Sequence, residues 1–573
     1  SKGRIFEETL PLLAAAGISS WVWLARGWEQ ARAELTRFWR ERRTHILVVE
    51  LLFLLTFAGW TIVRAYAPDK IIPAGGEKYM EIAFLNGVLN SPRFPPLDPW
   101  LAGYAISYYY FGYVMMGMMT SLTSVTPPVG FDLYDALLFA LTAAGAFGVA
   151  MNLAAAAGGS QRASRLTGLL GALFVGGLGN LQGLIEGLYS SRALPDTFWR
   201  WLDIPDLAGS AQSGSFYPGH GWWWWRASRV VRDLDLTGQP VVFQPIDEFP
   251  FFSFLLGDNH PHKLALPFVL LCIGLALNLM LKNAAGQPAL MAEEAPSSTG
   301  GLFARAWRRR GEAGVLAFYA LAMGSLGFLN TWDMPIYILL ALLAYAVGKM
   351  RSGSRPGLAL LLRTLALGAG LGAGAVLLYL FFYLGFSSQA GGVLPYVFQP
   401  TRLVHYLVMF GTFIPILAVF VVLAARKAGG RHFPWETFAR AWLWITGLSL
   451  GAYLLVVFLA AVILSSAGLE SFPILQSWLG GKEPGQILGR ILVARASHPW
   501  LFLLVSSLLA LASAAILRGS GAGGANTEEA GAHESAAAGL LSPAALFALL
   551  LALAGLGLTL TVDFFYLRDN FGM

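Results

Sequence analysis

Twelve separate runs of mostly apolar residues are each long enough to cross a hydrocarbon layer of about 30 Å. They lie near residues 8–26, 44–66, 133–155, 166–188, 253–281, 313–330, 335–349, 360–386, 403–425, 439–466, 498–517 and 541–562. A soluble chain of 573 residues could not bury the 56% that are hydrophobic. The sequence therefore predicts an all-α polytopic membrane protein with about twelve transmembrane helices.

The Lys and Arg residues lie in short connections between the apolar runs. The chain has a net charge of +6, but these residues do not form one continuous basic face, so we expect no nucleic-acid partner. Six arginines between residues 26 and 43 place the first connection in the cytoplasm by the positive-inside bias. The later basic connections also face the cytoplasm if segment 104–125 lies flat in the interface. Every polar loop of interest is then extracytoplasmic, and we expect a multi-pass protein of the cell membrane with an extracytoplasmic active face.

The topology divides the chain into three regions. Residues 1–66 hold N-terminal spans with a cytoplasmic basic connection, and 67–132 form the first extracytoplasmic loop with flat juxtamembrane helices. Residues 133–573 form the remaining bundle, with an outer loop at 189–252. Two segments, 283–311 and 518–540, have too few apolar residues for a core and are predicted to be flexible cytoplasmic connectors.

The first outer loop contains three carboxylates that could carry chemistry, Glu77, Glu81 and Asp98. The spacing of four places Glu77 and Glu81 on one face of a helix. A carboxylate within reach of an acceptor is suited to act as a general base, and its neighbour could hold a cation. The alternative is that Lys78 and Glu81 form an exposed, inert charge pair.

A second polar motif precedes the run at 253–281. Asp258, His260 and His262 combine ligand types suited to a divalent cation such as Mg²⁺ or Mn²⁺, or to a phosphate. We predict Asp258 and His260 as the metal ligands. The same residues also fit the start of a helix, with Pro261 in its first turn and Asp258 near its N-terminus.

The second outer loop contains four consecutive tryptophans, which could contact a sugar or a prenyl chain: Trp222, Trp223, Trp224 and Trp225. Arg226 and Arg229 follow them, and Arg402 lies in a later outer loop. One guanidinium group can donate hydrogen bonds to two phosphate oxygens at once. The three arginines are therefore predicted to bind a leaving phosphate. The alternative for the tryptophans is an aromatic belt that anchors the loop among lipid headgroups.

Several motifs resemble the YYY-motif family of integral membrane proteins, a domain of unknown function, from about residue 60 to the end. They are Glu77-Lys78 with Glu81, Phe94-Pro95-Pro96, Asp98-Pro99-Trp100, Tyr108-Tyr109-Tyr110-Phe111-Gly112, Gly257-Asp258-x-His260-Pro261-His262, Asn330-Thr331-Trp332-Asp333 and Tyr566-Leu567-Arg568-Asp569. The layout of the first outer loop is in turn similar to that of GT-C glycosyltransferases. That likeness implies a polyprenyl-phosphate-linked sugar donor and an essential acid in this loop.

We therefore predict a GT-C-like glycosyltransferase that transfers a sugar from a lipid phosphate to an acceptor of unknown identity. Glu77 or Glu81 is the predicted base, and Tyr108, Tyr109 and Tyr110 are predicted to contact substrate. Two alternatives are a transporter or flippase of lipid-linked intermediates and a non-catalytic scaffold subunit. The pair of adjacent acids typical of GT-C enzymes is missing. The family pattern continues beyond Met573, so we expect a fragment or a shortened member.

Overall fold

A computed structural model describes most of the chain. The described residues are 27–67, 76–219, 221–241, 244–287, 302–388, 390–430, 432–467, 484–521 and 539–569.

The described chain is almost entirely helical. Its α-helices are α1 (Trp28–Tyr66), α2 (Lys78–Asn90), α3 (Phe111–Thr123), α4 (Pro127–Ala156), α5 (Gln161–Gly176), α6 (Gln182–Ser190), α7 (Asp196–Leu202), α8 (Pro250–Leu256), α9 (Pro261–Ala284), α10 (Leu302–Leu329), α11 (Asp333–Arg351), α12 (Leu358–Leu378), α13 (Leu380–Gly385), α14 (Leu403–Phe410), α15 (Ile414–Ala428), α16 (Trp435–Ala467), α17 (Pro484–Ser497), α18 (Trp500–Gly519) and α19 (Pro543–Thr561). Two strands, β1 (Ala390–Pro395) and β2 (Phe565–Asp569), form an antiparallel pair.

Eight of the described helices are long and apolar enough to cross a membrane, which confirms the all-α polytopic membrane class. They are α1, α4, α9, α11, α12, α16, α18 and α19. A ninth span is possible by length and composition if α14 and α15, which meet at 91°, are counted as one bent span.

The predicted number of twelve spans is not confirmed. The run 8–26 lies outside the described residues. The run 166–188 is interrupted, because α5 ends at Gly176 and α6 begins at Gln182. The run 403–425 is broken by the bend between α14 and α15, and the apolar part of α10, Ala313–Leu329, is shorter than the eight spans. Hydropathy detects apolar segments correctly but does not detect breaks inside them.

Segment 67–132, the predicted first outer loop, contains short helices. Within 67–132, α2 and α3 each have 13 residues, about 20 Å of helix, which is too short to cross a bilayer. Tyr108 and Tyr109 precede α3, and Tyr110 is its N-cap. The flat orientation of this segment stays a prediction. The central parts of the two predicted flexible connectors, 288–301 and 522–538, lie outside the described residues.

The described chain divides into two compact units. The first unit comprises 1–178, 253–346 and 358–388, and the second comprises 179–252, 347–357 and 389–573.

In the first unit, the C-terminal end of α1 meets the N-terminal ends of α4 and α9. Arg64 near the end of α1 pairs with Asp132 near the start of α4, with Nη2 and Oδ1 3.4 Å apart. Lys263 near the start of α9 pairs with Asp135 of α4 at 2.5 Å. Both α4 and α9 begin with proline, which suits the first turn of a helix because its missing N–H is not needed there. These three helix ends define the face on which the polar motifs of the unit lie.

The second unit has an apolar core in which α16, α18 and α19 pack beside the β1–β2 pair. Tyr453, Val505 and Phe564 are buried at its centre. The hydroxyl of Tyr453 donates to the carbonyl of Tyr396 at 2.9 Å, which joins α16 to the segment after β1. The strand pair therefore ties the end of the described chain to this core.

Candidate functional site

A buried carboxylate, that of Glu81 on α2, lies at the centre of the polar face of the first unit. Its side chain is 0% exposed. Oε2 accepts a 2.6 Å hydrogen bond from the backbone N–H of Asn259. Oε1 accepts no hydrogen bond from the described residues and lies 3.8 Å from Nδ1 of His260. Burial and then the nearby charge of Asp258 raise the pKa of Glu81 well above its usual value.

Glu77 lies one helical turn before Glu81 and is much more accessible. It is the N-cap residue of α2, and its side chain is 52% exposed. Its Oε2 lies 3.4 Å from Nδ1 of His260, so both glutamates approach the same imidazole. The alternative of an exposed Lys78–Glu81 pair is wrong, because Lys78 is only 4% exposed and Glu81 is buried.

Asp258 lies in the turn that precedes α9 in the chain, close to Glu81. Gly257 precedes it with φ +71°, and Gly76, with φ +70°, packs closely against it. A Cβ atom on Gly76 would lie 2.7 Å from Oδ2 of Asp258, so only glycine permits this approach.

One ligand atom from each of Glu81, Asp258 and His260 lies within 4.8 Å of the others. The predicted metal ligands Asp258 and His260 are thus brought together, and the tertiary structure adds Glu81 to them. We refer to Glu77, Glu81, Asp258 and His260 as the Glu81 cluster.

A buried network of ion pairs lies beside the Glu81 cluster. Lys263 and Asp135 are both 0% exposed, and Asp135 also accepts a 3.1 Å hydrogen bond from the indole of Trp60. Arg64 Nε lies 3.7 Å from Asp135, and the guanidinium group occupies the space next to Gly257. These residues are not among the site residues predicted from the sequence. Ionisable side chains at the ends of apolar runs were the signal that could have identified them.

The three consecutive tyrosines have different surroundings. The ring of Tyr108 packs against Phe84 at 5.6 Å, and burial together with the charges of Glu77 and Glu81 raises its pKa. Tyr109 packs against Phe386 at 5.2 Å, and Tyr110 is buried. The charges of Glu77 and Glu81, two members of the Glu81 cluster, therefore act on Tyr108.

A fourth tyrosine, which sequence analysis did not select, also supports the site. Tyr113 on α3 is fully buried and donates from its hydroxyl to the carbonyl of Asn259 at 3.2 Å. Its contact fixes the turn whose backbone N–H holds Glu81.

His262 and Asp98 have contacts of their own. Nε2 of His262 lies 3.1 Å from the hydroxyl of Ser253, and the His262 ring lies 5.0 Å from that of His260. Oδ1 of Asp98 accepts from the backbone N–H groups of Trp100 and Leu101, at 2.8 and 3.0 Å. The carboxylate of Asp98 thus stabilises its own turn and is not one of the three residues that converge as metal ligands.

The predicted aromatic and arginine site belongs to the second unit. Trp222, at φ +61°, precedes a 3₁₀ helix, Trp223–Ser228. The tryptophans pack largely on one another and on Phe252. The centroid of the Phe252 ring lies 5.4 Å from that of Trp224 and 5.9 Å from that of Trp225. The ring of Trp223 also contacts Tyr217 at 6.2 Å.

The guanidinium groups of the second unit are engaged with protein atoms. Arg226 pairs with buried Glu186 through two bonds, Nε to Oε1 at 2.6 Å and Nη2 to Oε2 at 3.1 Å. Arg229 lies 4.6 Å above Trp225, and burial lowers its pKa. Arg402 donates to the carbonyls of Trp201 and Leu202. The contacts of Arg226 and Arg402 use N–H groups that a phosphate would need.

The helical fold, the eight candidate spans and the hydropathy of the chain define an all-α polytopic membrane protein. It belongs to the family described as uncharacterized membrane protein (DUF2298), whose model matches residues 4–573. No curated protein and no solved structure matches the chain. The resemblance to a family of membrane proteins is confirmed, whereas the likeness to GT-C enzymes stays a prediction.

Proposed function

We propose that this protein is an inverting, GT-C-like glycosyltransferase that moves a sugar from a polyprenyl-phosphate donor to an acceptor. The observation that carries the proposal is the half-exposed carboxylate of Glu77 beside His260, in front of the buried carboxylates of Glu81 and Asp258. An accessible base at the ends of membrane-spanning helices is suited to a donor whose reacting group lies at the lipid headgroups.

Glu77 is the better candidate for the base than Glu81. An acceptor can reach a side chain that is 52% exposed, whereas Glu81 is 0% exposed. In the reaction, the acceptor oxygen or nitrogen bonds to the anomeric carbon while the bond from that carbon to the phosphate oxygen breaks. The electron pair leaves with the polyprenyl phosphate, and the acceptor proton passes to Glu77.

His260 and His262 are the groups of the first unit that we assign to the leaving phosphate, because fixed donors act most strongly where charge develops. Tyr108 is assigned to the sugar, since its ring packs against Phe84 of α2, the helix that carries Glu81. Arg226, Arg229 and Arg402 are not given a role here, because their guanidinium groups already contact protein atoms.

The charge distribution supports an extracytoplasmic site at the cell membrane. Five arginines lie in the N-terminal part of α1, between residues 32 and 43, and the polar cluster lies beyond its opposite end. Arg162 and Arg165 follow the C-terminal end of α4, also away from the cluster. The positive-inside bias thus favours a cytoplasmic location for the basic ends.

The test is the release of polyprenyl phosphate from a panel of radiolabelled polyprenyl-phosphate hexoses. The full chain is assayed in nanodiscs with a membrane extract as the source of acceptor. We expect Glu77→Gln to lower the rate by about 10²- to 10⁴-fold. Glu436→Gln, the same change in an exposed i,i+4 pair, serves as the control. Unchanged rates in both Glu77→Gln and Glu81→Gln would eliminate the proposed base and the transferase with it.

A transporter of lipid-linked intermediates is the second candidate, because broken spans are typical of transporters. The 91° bend between α14 and α15 favours it. However, the described helices include one such bent pair and not two in matched halves. The buried charges Arg64, Asp135 and Lys263 lie towards helix ends and not at mid-depth. Movement of a fluorescent polyprenyl phosphate between leaflets of proteoliposomes, without loss of its sugar, would favour the transporter.

A further inference from the structure

We propose that Glu81, Asp258 and His260 form a binding site for a divalent cation of the Mg²⁺ or Mn²⁺ type. One ligand atom of each residue lies within 4.8 Å of the other two, which is close enough for all three to contact one ion. The site joins α2 to the turn before α9, two segments that are remote in the sequence.

The state of Glu81 is a second and independent observation that points to a ligand. Its Oε1 atom is buried and accepts no hydrogen bond from the described residues. A buried carboxylate oxygen normally has a hydrogen-bond donor or a cation, because desolvation without either is costly. Nδ1 of His260 lies 3.8 Å from this oxygen, which is too far for a hydrogen bond but suitable for two ligands of one ion.

The composition of the site selects the class of ion. Two carboxylates and one imidazole supply two oxygen ligands and one nitrogen ligand. Carboxylate oxygens suit Mg²⁺ and Mn²⁺, and Mn²⁺ also accepts imidazole. The remaining positions of an octahedral ion would be left for water or a phosphate oxygen, and half-exposed Glu77 marks the open side.

The assigned role of the ion rests on the proposed transferase function, although its binding does not. A divalent cation beside His260 would offset the negative charge that develops on the leaving phosphate. It would also offset the repulsion between the two buried carboxylates.

Manganese binding is the direct test, because free Mn²⁺ gives an electron paramagnetic resonance signal that is lost on binding. The purified full chain in nanodiscs is titrated with MnCl₂ after treatment with EDTA. We expect one strongly bound Mn²⁺ per chain in the wild type and in the Glu436→Gln control. Loss of one ligand in Glu81→Gln or Asp258→Asn should weaken binding by about 100-fold or more.

Thermal unfolding in EDTA establishes that the variants are folded. Glu81→Gln should melt cooperatively at the wild-type temperature or above, because it removes a buried negative charge, and MnCl₂ should raise only the wild-type and control melting temperatures. Absence of Mn²⁺ binding in the wild type, or wild-type affinity in both ligand variants, would overturn the site. Mn²⁺ binding without sugar transfer would leave the site intact and refute only the transferase.

Discussion

The backbone N–H of Asn259 donates a 2.6 Å hydrogen bond to Oε2 of Glu81, although the two residues are 178 positions apart. This bond joins α2 to the turn before α9. Glu81 would otherwise be a buried carboxylate with neither oxygen hydrogen-bonded among the described residues. The geometry of the candidate site thus depends on the conformation of a single turn, Gly257–His260.

Gly257→Ala should disrupt this turn more than a glycine change elsewhere does. Gly257 has φ +71°, and a Cβ atom there would overlap with the guanidinium group of Arg64. Gly103, with φ +87° and open space around it, is the matched control. Backbone strain alone should cost about 1–2 kcal/mol in Gly103→Ala. Gly257→Ala should cost more, as measured by denaturant unfolding in detergent. Equal losses would mean that Arg64 does not restrict the turn.

Asp135→Asn should be among the most destabilising conservative changes in the first unit. The carboxylate binds Lys263 at 2.5 Å and the indole of Trp60 at 3.1 Å, and its loss leaves Lys263 buried without its counter-charge. Removing one partner of a buried pair costs about 3–5 kcal/mol. Glu436→Gln, in an exposed pair, should cost less than about 1 kcal/mol. Similar free energies of unfolding for the two variants would contradict the importance of the buried network.

Arg226→Gln should destabilise the protein, and it should not affect binding of a phosphate directly. It removes both hydrogen bonds to Glu186, whose side chain is only 2% exposed, and leaves that carboxylate without its counter-charge. Combining Arg226→Gln with Glu186→Gln should recover part of the melting temperature, because the buried charge is then also removed. Weaker binding of a polyprenyl phosphate by Arg226→Gln at unchanged stability would instead support the phosphate role predicted from sequence.

Asp233 should make stability depend on pH. Burial raises the pKa of Asp233 from 3.8 to about 6, while the hydroxyl of Tyr396 donates to its Oδ1 at 2.6 Å. Because the pKa of Asp233 is higher in the folded than in the unfolded state, the protonated side chain stabilises the folded protein. This stabilisation is complete below about pH 4 and is lost as the pH rises through 6. The loss is at most about 3 kcal/mol. Melting temperatures at pH 5 and 7 should differ more for the wild type than for Asp233→Asn. Exposed Asp196→Asn should behave as the wild type, and an unchanged pH dependence in Asp233→Asn would contradict the assignment.

Hydropathy and local motifs predicted the class of fold and the ends of most of the described spans. Pro261, for example, was expected to open a helix, and it is the first residue of α9. Glu77, Glu81, Asp258 and His260 are candidate site residues from the sequence alone, and their roles stay predictions. The class of fold and the start of α9 could be predicted because apolar length and proline act within a few residues of one another.

Which polar residues meet depends on the tertiary structure. Asp98 and Glu81 are both carboxylates of one loop, yet Asp98 binds its own turn while Glu81 is buried against Asn259. The guanidinium group of Arg226 is occupied by Glu186, 40 positions away. The sequence alone is enough to predict a helical membrane protein and a short set of candidate residues. Helix packing over long separations determined burial and pairing, because the cost of a charge depends on which groups surround it in space.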